Sequence, residues 1–475
     1  MMVLTAAMIA TATGGQLTSG SPDRVIDGFS IDSRTLQPGD LFFAIVAARD
    51  GHEFVADAFG RGALGAVVKS GLESRRLLAE LESDEQADAA DRVLIEVADT
   101  TAALQSLAQF VRLESAAKVV AITGSAGKTT TKEAIAELIS GRYRVIRNKG
   151  NLNNHLGLPL SLLELRRGAE VAAMELGMSH AGEIRLLVDI ADPDIRVWTN
   201  VGDAHLGHFE SPAAIAAAKG EILEAAAPTD VLIANADDSL VMERAPSFAG
   251  RVVTFGLSAT ADVRADALYN AGLAGTRFEL RWKKQSVELR IPLLGMANVS
   301  NVLAAAAVAI ELGVGLREIA DRAAALTPAP HRGAVLRLPR GVTVIDDSYN
   351  SSPAALKRAL EILGAERGAT RRAAVLGEML ELGDHAIRLH EECGRSAAAA
   401  DLDRLVVVGD AAARALAEAA TASGMPADRV TWTASSAAAV DVILPWLEPG
   451  DLVLVKGSRG IRTDAVVDRI CEEFS

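Results

Sequence analysis

One stretch, residues 119–133 (VVAITGSAGKTTTKE), constrains the fold of this chain more than any other. Its apolar opening, residues 119–122, is typical of a buried parallel strand. Gly124 and Gly127 then permit a tight turn with the backbone close to a ligand, and a helical pattern begins at Lys128. Strand, glycine loop and helix in this order predict a phosphate site, because free N–H groups and the helix dipole face the anion.

Lys128 and Thr129 carry side chains that suit such a site, since the lysine can reach the outer phosphates and the hydroxyl can bind Mg²⁺. The general P-loop pattern has four residues between its first glycine and the Gly-Lys pair. Here only two residues separate Gly124 from Gly127. A glycine-rich turn with an exposed lysine is therefore the alternative, although the order of the elements favours a nucleotide site.

The length of 475 residues predicts about three domains of ~150 residues each. We place them at residues 1–105, 106–327 and 328–475, with Pro328-Ala329-Pro330 as a stiff linker. Hydrophobic residues make up 49% of the chain but aromatic residues only 4%, so the cores must consist mainly of Ala, Val, Leu and Ile. This composition is typical of helix-rich α/β domains.

The charge and cysteine content exclude several classes of protein. A net charge of -14 argues against a nucleic-acid-binding surface. No stretch approaches the ~20 apolar residues that cross a bilayer. The two cysteines, Cys393 and Cys471, cannot form a disulfide framework, which fits a reducing cytoplasm.

Polar side chains follow several predicted strands of the central region. Glu175 ends the apolar run 171–174, and ligands of open α/β sheets lie at the carboxyl ends of strands, so Glu175 is a candidate Mg²⁺ ligand. The stretch 151–154 is either a plain turn or a contact surface for a polar substrate. His205, taken alone, is equally consistent with a structural role, because Mg²⁺ prefers oxygen ligands. Lys219, taken alone, is consistent with a solvated position on a helix.

The two outer regions carry weaker signals. Ser33, Arg34 and His52 could meet a ligand, although each alone is more often a surface turn residue. In the C-terminal region, apolar strands followed by polar or glycine residues alternate with helices, which predicts a doubly wound, Rossmann-like parallel sheet. Its glycines lack the Gly-x-Gly-x-x-Gly fingerprint, so a dinucleotide site is not expected.

Taken together, these segments resemble the Mur ligase family of peptidoglycan synthesis over nearly the whole chain. The segments that carry the resemblance are residues 32–34, 38–44, 50–54, 123–130, 151–154, 175–177, 204–206, 218–222, 346–350, 377–383 and 456–459. The shortened glycine loop is the family's own form. Two positions depart from the family pattern: Ala297 stands where relatives often carry histidine, and His331 stands where glycine is common.

The resemblance implies a small N-terminal α/β domain that binds UDP, a central P-loop ATPase domain and a C-terminal domain that binds a dipeptide. It implies that Lys219 is carbamylated and holds a second Mg²⁺, with His205 joining Thr129 and Glu175 at the metal ions. Lys128, Lys219, His205 and Glu175 are then the candidate catalytic residues. The implied ATP contacts are Gly124, Ser125, Ala126, Gly127, Lys128, Thr129, Thr130, Asn298, Arg332 and Asp347.

The implied activity is ATP-dependent amide synthesis, in which UDP-N-acetylmuramoyl-tripeptide is activated as an acyl phosphate and captured by D-alanyl-D-alanine. The candidate substrate contacts are Ser33, Arg34, His52, Asn151, Asn153, Asn154, Asn350, Lys456, Ser458 and Arg459. We expect a cytoplasmic monomer. The alternatives are a ligase that adds the third peptide residue, whose Asp-Asn-Pro-Arg segment is missing from the third region, a P-loop kinase or NTPase, and a non-catalytic UDP-sugar-binding protein.

Overall fold

The fold is known from a computed structural model that describes residues 2–71, 92–202, 209 and 211–475. Three main sheets follow one another along the chain, each built mostly from parallel strands. The predicted α/β class is therefore confirmed. Within the described ranges, every helix is too short or too polar to span a bilayer.

The N-terminal sheet has five strands in the order β2-β7-β6-β5-β4, of which only β2 runs antiparallel to its neighbour. A two-stranded sheet of β1 and β3 lies beside it. The elements of this part are β1 (Leu4–Thr5), α1 (Ala6–Ala12), β2 (Gln16–Ser19), β3 (Val25–Ile26), β4 (Gly28–Ser30), β5 (Asp40–Phe43), α2 (Val55–Gly60), β6 (Gly65–Lys69), β7 (Val93–Val97) and α3 (Thr100–Glu114).

The central sheet has nine strands in the order β16-β15-β14-β13-β12-β11-β8-β10-β9, and its last three strands in sequence form antiparallel hairpins. Its strands are β8 (Lys118–Thr123), β9 (Val145–Arg147), β10 (Val171–Glu175), β11 (Ile195–Trp198), β12 (Val231–Asn235), β13 (Arg251–Gly256), β14 (Val263–Asn270), β15 (Thr276–Trp282) and β16 (Gln285–Ile291). Its helices are α4 (Lys128–Ile139), α5 (Gly157–Leu162), α6 (Glu183–Ala191), α7 (Pro212–Gly220), α8 (Ser239–Arg244), α9 (Met296–Glu311) and α10 (Leu316–Ala323).

Strand β8 is buried on both faces, as its unbroken apolar sequence predicts. Val119 and Ala121 pack into the cluster that contains α3, α5 and α6, whereas Val120 and Ile122 pack into the cluster that contains α4 and α9. Helix layers on both sides thus hold the strand, and with it the loop that follows, in the middle of the sheet.

The C-terminal sheet has six strands in the order β17-β18-β22-β19-β20-β21, with only β17 antiparallel. Helices pack on both of its faces, so the predicted doubly wound arrangement is confirmed. Its elements are β17 (Ala334–Arg337), β18 (Thr343–Asp347), α11 (Pro353–Ala365), β19 (Arg372–Gly377), α12 (Ala386–Ala399), β20 (Arg404–Val408), α13 (Ala411–Ala422), β21 (Val430–Thr433), α14 (Ser436–Ile443), β22 (Leu452–Lys456) and α15 (Asp464–Phe474).

Three charged side chains stand at the carboxyl ends of parallel strands. Glu175 is the last residue of β10, Asp347 the last of β18 and Lys456 the last of β22. All three line one cavity between the central and C-terminal sheets. The fold thus places charged groups from two sheets in the position where open α/β sheets bind their ligands.

Candidate active site

The cavity between the two sheets has a volume of about 700 Å³. It brings together most of the residues that the sequence predicted to bind nucleotide or substrate. The predicted residues that line it are Ser125, Ala126, Gly127, Lys128, Thr129, Thr130, Asn151, Asn153, Asn154, Glu175, Asn298, Arg332, Asp347, Asn350, Lys456, Ser458 and Arg459.

The glycine loop has the conformation that a phosphate cradle requires. Gly124 and Gly127 have φ values of 149° and 83°, which L side chains rarely adopt. A Cβ atom at Gly124 would lie 1.9 Å from Oγ1 of Thr199, and one at Gly127 would lie 2.1 Å from Oδ1 of Asn301. Helix α4 begins at Lys128 without a side-chain cap, so the N–H groups of its first turn remain available for an anion.

Asn200, which follows β11, holds this loop in place and was not among the predicted site residues. Its side chain accepts a hydrogen bond from the Ala126 N–H (2.9 Å) and donates one to the Ala126 carbonyl (3.0 Å). Its own carbonyl accepts a bond from the Ser125 N–H at 3.0 Å. The only sequence signal for this role is that Asn200 is a polar residue just after a strand.

The crowding at Gly124 leads to a prediction. Gly124→Ala should lower nucleotide affinity at least ~10-fold, because the new methyl group would displace Thr199 and disfavour the φ of 149°. The control is Gly202→Ala in the adjacent segment, where the nearest atom that a Cβ would meet among the described residues is in Ser125, at 3.7 Å. Titration of a fluorescent ADP analogue measures both affinities, and equal affinities would contradict the assigned loop geometry.

Lys128 directs its ammonium group back over the loop, where Nζ donates to the Gly124 carbonyl at 2.8 Å. Burial lowers the pKa of this ammonium; the Glu175 carboxylate opposes the shift and the Arg332 guanidinium adds to it. A charge in such a partly desolvated place interacts strongly with a phosphate.

Glu175 links the glycine loop to the stretch 151–154. Its Oε2 accepts a hydrogen bond from the Thr129 hydroxyl at 2.8 Å, and its Oε1 accepts one from Nδ2 of Asn153 at 3.1 Å. A hydroxyl and a carboxylate side by side are hard oxygen donors, the kind that Mg²⁺ prefers. Among the described residues, no group of three or more His, Cys, Asp or Glu side chains is placed to hold a metal ion, so a metal ion at Thr129 and Glu175 would need further ligands.

Lys219 lies near the end of α7 and is only 1% exposed. Burial lowers the pKa of its ammonium well below the usual value, and the nearby charge of Lys128 lowers it further. Burial therefore favours the uncharged form of this amine. The solvated helix position that the sequence alone allowed does not describe this buried residue.

The opposite wall contains the residues predicted to meet the base, the phosphates and the ribose of ATP. Asn298 and Asn301 lie three positions apart on one face of α9, with Nδ2 of Asn301 3.1 Å from Oδ1 of Asn298. The ring of Tyr349, which was not predicted, lies 4.2 Å from Cζ of Arg332 and 5.9 Å from that of Arg459. One aromatic ring thus orders two cations of the cavity.

Lys456 is buried and joins two segments of the C-terminal part. Its Nζ donates to Oδ2 of Asp347 at 2.6 Å and to the Asn350 carbonyl at 2.9 Å. The two positions that depart from the family pattern lie nearby: Ala297 lines the cavity, and the His331 ring is 2.8 Å from Oδ2 of Asp346. The charge pair of Lys456 and Asp347 fixes the strand ends that face the nucleotide loop.

Residues 380–382 form another part of the wall, and hydrogen bonds to Ser458 and His390 hold this segment in place. The Leu380 N–H donates to Oγ of Ser458 (2.9 Å), and the Met379 N–H donates to Nε2 of His390 (2.9 Å). His390 is fully buried, and its Nδ1 lies 2.7 Å from the Ala386 carbonyl, so the ring is neutral with its proton on Nδ1. Burial lowers the pKa of His390, opposed by the Ala386 carbonyl and the Glu378 carboxylate.

This histidine predicts a pH dependence of stability. The unfolded chain takes up a proton at His390 near pH ~6.5, whereas the folded chain does so only at lower pH. The contribution of His390 to the free energy of unfolding is therefore complete above pH ~6.5 and is lost as the pH falls from there towards the lower pKa of the folded chain. Between about pH 7.5 and 5.5 the Tm of His390→Gln should fall less than that of the parent. The exposed His385→Gln is the control, and parallel curves for all three proteins would refute the neutral assignment.

Ser33, Arg34 and His52 lie outside this cavity, and Gly124 and Lys219 are also not among its lining residues. Arg34 is exposed and forms a bidentate pair with Asp32 (2.9 and 2.7 Å), and Ser33 is buried. His52 is buried with both ring nitrogens engaged, Nδ1 with Asp50 at 2.6 Å and Nε2 with the Lys69 N–H at 2.8 Å. Their substrate contacts stay predictions, and His205 lies outside the described residues.

Comparisons with known proteins identify the family of this chain. A family model of the Mur ligase middle domain matches residues 122–309, and one described as "Mur ligase, glutamate ligase domain" matches residues 331–459. The UDP-N-acetylmuramoyl-tripeptide–D-alanyl-D-alanine ligase of Mycobacterium bovis is 37% identical, with 99% of this chain and 98% of the relative aligned.

Two solved structures are similar along nearly the whole chain. A crystal structure of MurF from Acinetobacter baumannii has a TM-score of 0.85 and 31% identity, covering 99% of both chains. MurF from Thermotoga maritima in complex with ADP has a TM-score of 0.79 and 27% identity, covering 94% of this chain and 97% of that one. On the family models and on full-length relatives above 30% identity, the chain belongs to the Mur ligase family.

Proposed function

We propose that this protein is the ATP-dependent ligase that joins D-alanyl-D-alanine to UDP-N-acetylmuramoyl-tripeptide and so forms the pentapeptide precursor of peptidoglycan. The observation that carries the proposal is the shared cavity, in which the nucleotide loop with Lys128 and Glu175 faces Lys456 and Arg459 of the C-terminal sheet. The full-length similarity to relatives of that name supports the choice of substrates.

The cavity provides what amide synthesis from a carboxylate needs. A carboxylate is a poor electrophile, because its oxygen is a poor leaving group, and transfer of the γ-phosphoryl group of ATP converts it to an acyl phosphate. The amine of the dipeptide then attacks the carbonyl carbon, phosphate leaves, and the attacking nitrogen loses a proton. Most of this catalysis is positioning and charge stabilisation, since phosphoryl transfer needs little covalent help from the protein.

The residues of the loop divide these tasks among them. The N–H groups of the first turn of α4 and the ammonium of Lys128 hold the phosphates. Thr129 and Glu175 would hold Mg²⁺, which would neutralise phosphate charge. Arg332 and Arg459, stacked near Tyr349, add positive charge from the opposite wall.

We further propose that Lys219 is carbamylated. Reaction of its neutral amine with CO₂ forms an N–C bond, releases one proton and leaves a carboxylate-like group that can bind a second Mg²⁺. The support is chemical: only an unprotonated amine attacks CO₂, and the burial of Lys219 favours that form. His205 stays a predicted partner of the metal ions.

The roles of the remaining regions belong to the same proposal. Residues 1–105 bind the UDP end of the acceptor, through Ser33, Arg34 and His52, and residues 328–475 bring the dipeptide. The two cysteines, free in the structure, are consistent with a cytoplasmic location. We also propose that the protein is a monomer.

The test is a phosphate-release assay with ATP, UDP-N-acetylmuramoyl-tripeptide and D-alanyl-D-alanine, together with mass measurement of the product. We expect release only when all three are present, and a product heavier by one dipeptide minus water. Release with ATP alone would indicate an NTPase, and release without an amine would indicate a kinase followed by hydrolysis. Activity with a UDP-muramoyl-dipeptide and a single amino acid would instead indicate the ligase that adds the third residue.

A further inference from the structure

Glu175 lies at the end of β10, where the strand is paired on one side only. The position of its carboxylate depends on how this strand end is held. Strand β9 pairs with β10 through Val145, Ile146 and Arg147, whose partners on β10 end at Ala173. Strand β9 ends there, so its pairing with β10 stops two residues before Glu175. On its other side β10 remains paired with β8, where Glu175 is opposite Ile122.

Asn148, the first residue after β9, takes the place of the missing neighbour with its side chain. Its Oδ1 accepts a hydrogen bond from the Glu175 N–H at 3.1 Å, and its Nδ2 donates to the Glu175 carbonyl at 3.1 Å. A primary amide has the same acceptor and donor as a peptide group, so it continues the ladder by one residue. Asn148 is 1% exposed, so water cannot readily replace these bonds.

The same amide also contacts residues 151–154, the stretch predicted to bind substrate. The second hydrogen of Nδ2 points to the Leu152 carbonyl at 2.9 Å, and the Asn153 side chain in turn donates to Oε1 of Glu175. Glu175 and the stretch 151–154 are thus positioned by one side chain.

A buried lysine fixes Asn148 from the nucleotide side. Nζ of Lys132, on the helix that begins at the glycine loop, donates to the Asn148 carbonyl at 2.7 Å and lies 3.2 Å from Oε1 of Glu133. Lys132 is 1% exposed. The contacts therefore run without interruption from α4 through Asn148 to the Glu175 backbone.

We propose that Asn148 is a positioning residue that sets the Glu175 carboxylate against the Thr129 hydroxyl and so determines the affinity of the site for Mg²⁺. This inference rests on the proposed binding of ATP and Mg²⁺ at the glycine loop. Partners that orient a metal-binding carboxylate typically contribute 10–100-fold to metal affinity, because the ligand must be held within a few tenths of an ångström.

The experiment is calorimetric titration of ADP into the full chain at a series of Mg²⁺ concentrations and in EDTA. Asn148→Ala should raise the Mg²⁺ concentration needed for half-maximal enhancement of ADP binding by about 10-fold or more. Affinity for ADP in EDTA should be unchanged, since the loop N–H groups and Lys128 remain. Lys132→Met, which leaves the amide in place but removes its support, should shift the Mg²⁺ dependence in the same direction by less.

Controls separate positioning from loss of stability. Ile139→Val, a buried change at the far end of α4, should lower Tm without altering the Mg²⁺ dependence. Unchanged Mg²⁺ dependence in Asn148→Ala, or in Lys132→Met should the first variant fail to fold, would overturn the inference. A parent protein whose ADP binding ignores Mg²⁺ would instead overturn the proposed function.

Discussion

Lys128→Met should reduce kcat/KM for ATP by about 10²–10³-fold or more, the loss typical when one preorganised charge-stabilising group is removed from an active site. Methionine keeps much of the length and volume of lysine, so the loop should keep its shape while losing the ammonium that lies over Gly124. The largest part of the loss should appear in kcat, because the charge on the transferring phosphoryl group is what this ammonium meets.

The control for this experiment is a lysine on β8, the strand that leads into the glycine loop. Lys118 stands at the opposite end of β8 and is 59% exposed, paired with Asp194 at 2.7 Å. Lys118→Met removes an equal charge far from the cavity and should leave the rate unchanged. If both variants retained full activity, or both lost it equally, the assigned role of the glycine loop would be wrong.

The fold around this loop could be predicted from the sequence because its signals are local. The strand before Gly124 is apolar without interruption, and the helix after Gly127 has its own period, so neither depends on distant residues. The polar residues at strand ends, Glu175 above all, could be predicted as well. Parallel strands bring their carboxyl ends to one edge of the sheet whatever the loops between them do.

The residues that support the site could not be found in this way. Asn148 supplies hydrogen bonds to the Glu175 backbone where β9 has ended, and Asn200 holds the turn of the glycine loop. Both roles arise only in the folded chain. Tyr349 matters because Arg332 and Arg459 lie beside its ring. A shared cavity between the glycine loop and the C-terminal sheet, which lies far along the chain, could be expected only from the family resemblance.

Lys219 is a further residue whose role could not be predicted from the sequence pattern alone, because its interpretation depends on burial. A single lysine among alanines is ordinarily a solvated position, but here it is 1% exposed and its pKa is well below the usual value. Burying an amine costs free energy unless hydrogen bonds or other partners offset it. Lys219→Ala should therefore reduce turnover on the order of 10²-fold or more, because the proposed carbamate would no longer bind metal.

Chemical rescue distinguishes the carbamate from a purely structural lysine. Formate or acetate should restore part of the activity of Lys219→Ala, since a small carboxylate can occupy the space left by the side chain and supply the missing oxygen ligands. Neither acid should help Lys128→Met, whose defect is a missing positive charge. Lys219→Arg, which keeps a cation but cannot react with CO₂, should be as inactive as the alanine variant.

Direct observation of the carbamate carbon completes the test. The parent protein equilibrated with ¹³CO₂ should give one carbamate signal by ¹³C NMR that is lacking in Lys219→Ala and in Lys219→Arg. The charge of Lys128 contributes to the low pKa of Lys219, so Lys128→Met should raise that pKa and weaken the signal at neutral pH. Full activity of Lys219→Ala, or a parent protein without the signal, would exclude carbamylation while leaving nucleotide binding at Lys128 and Thr129 untouched.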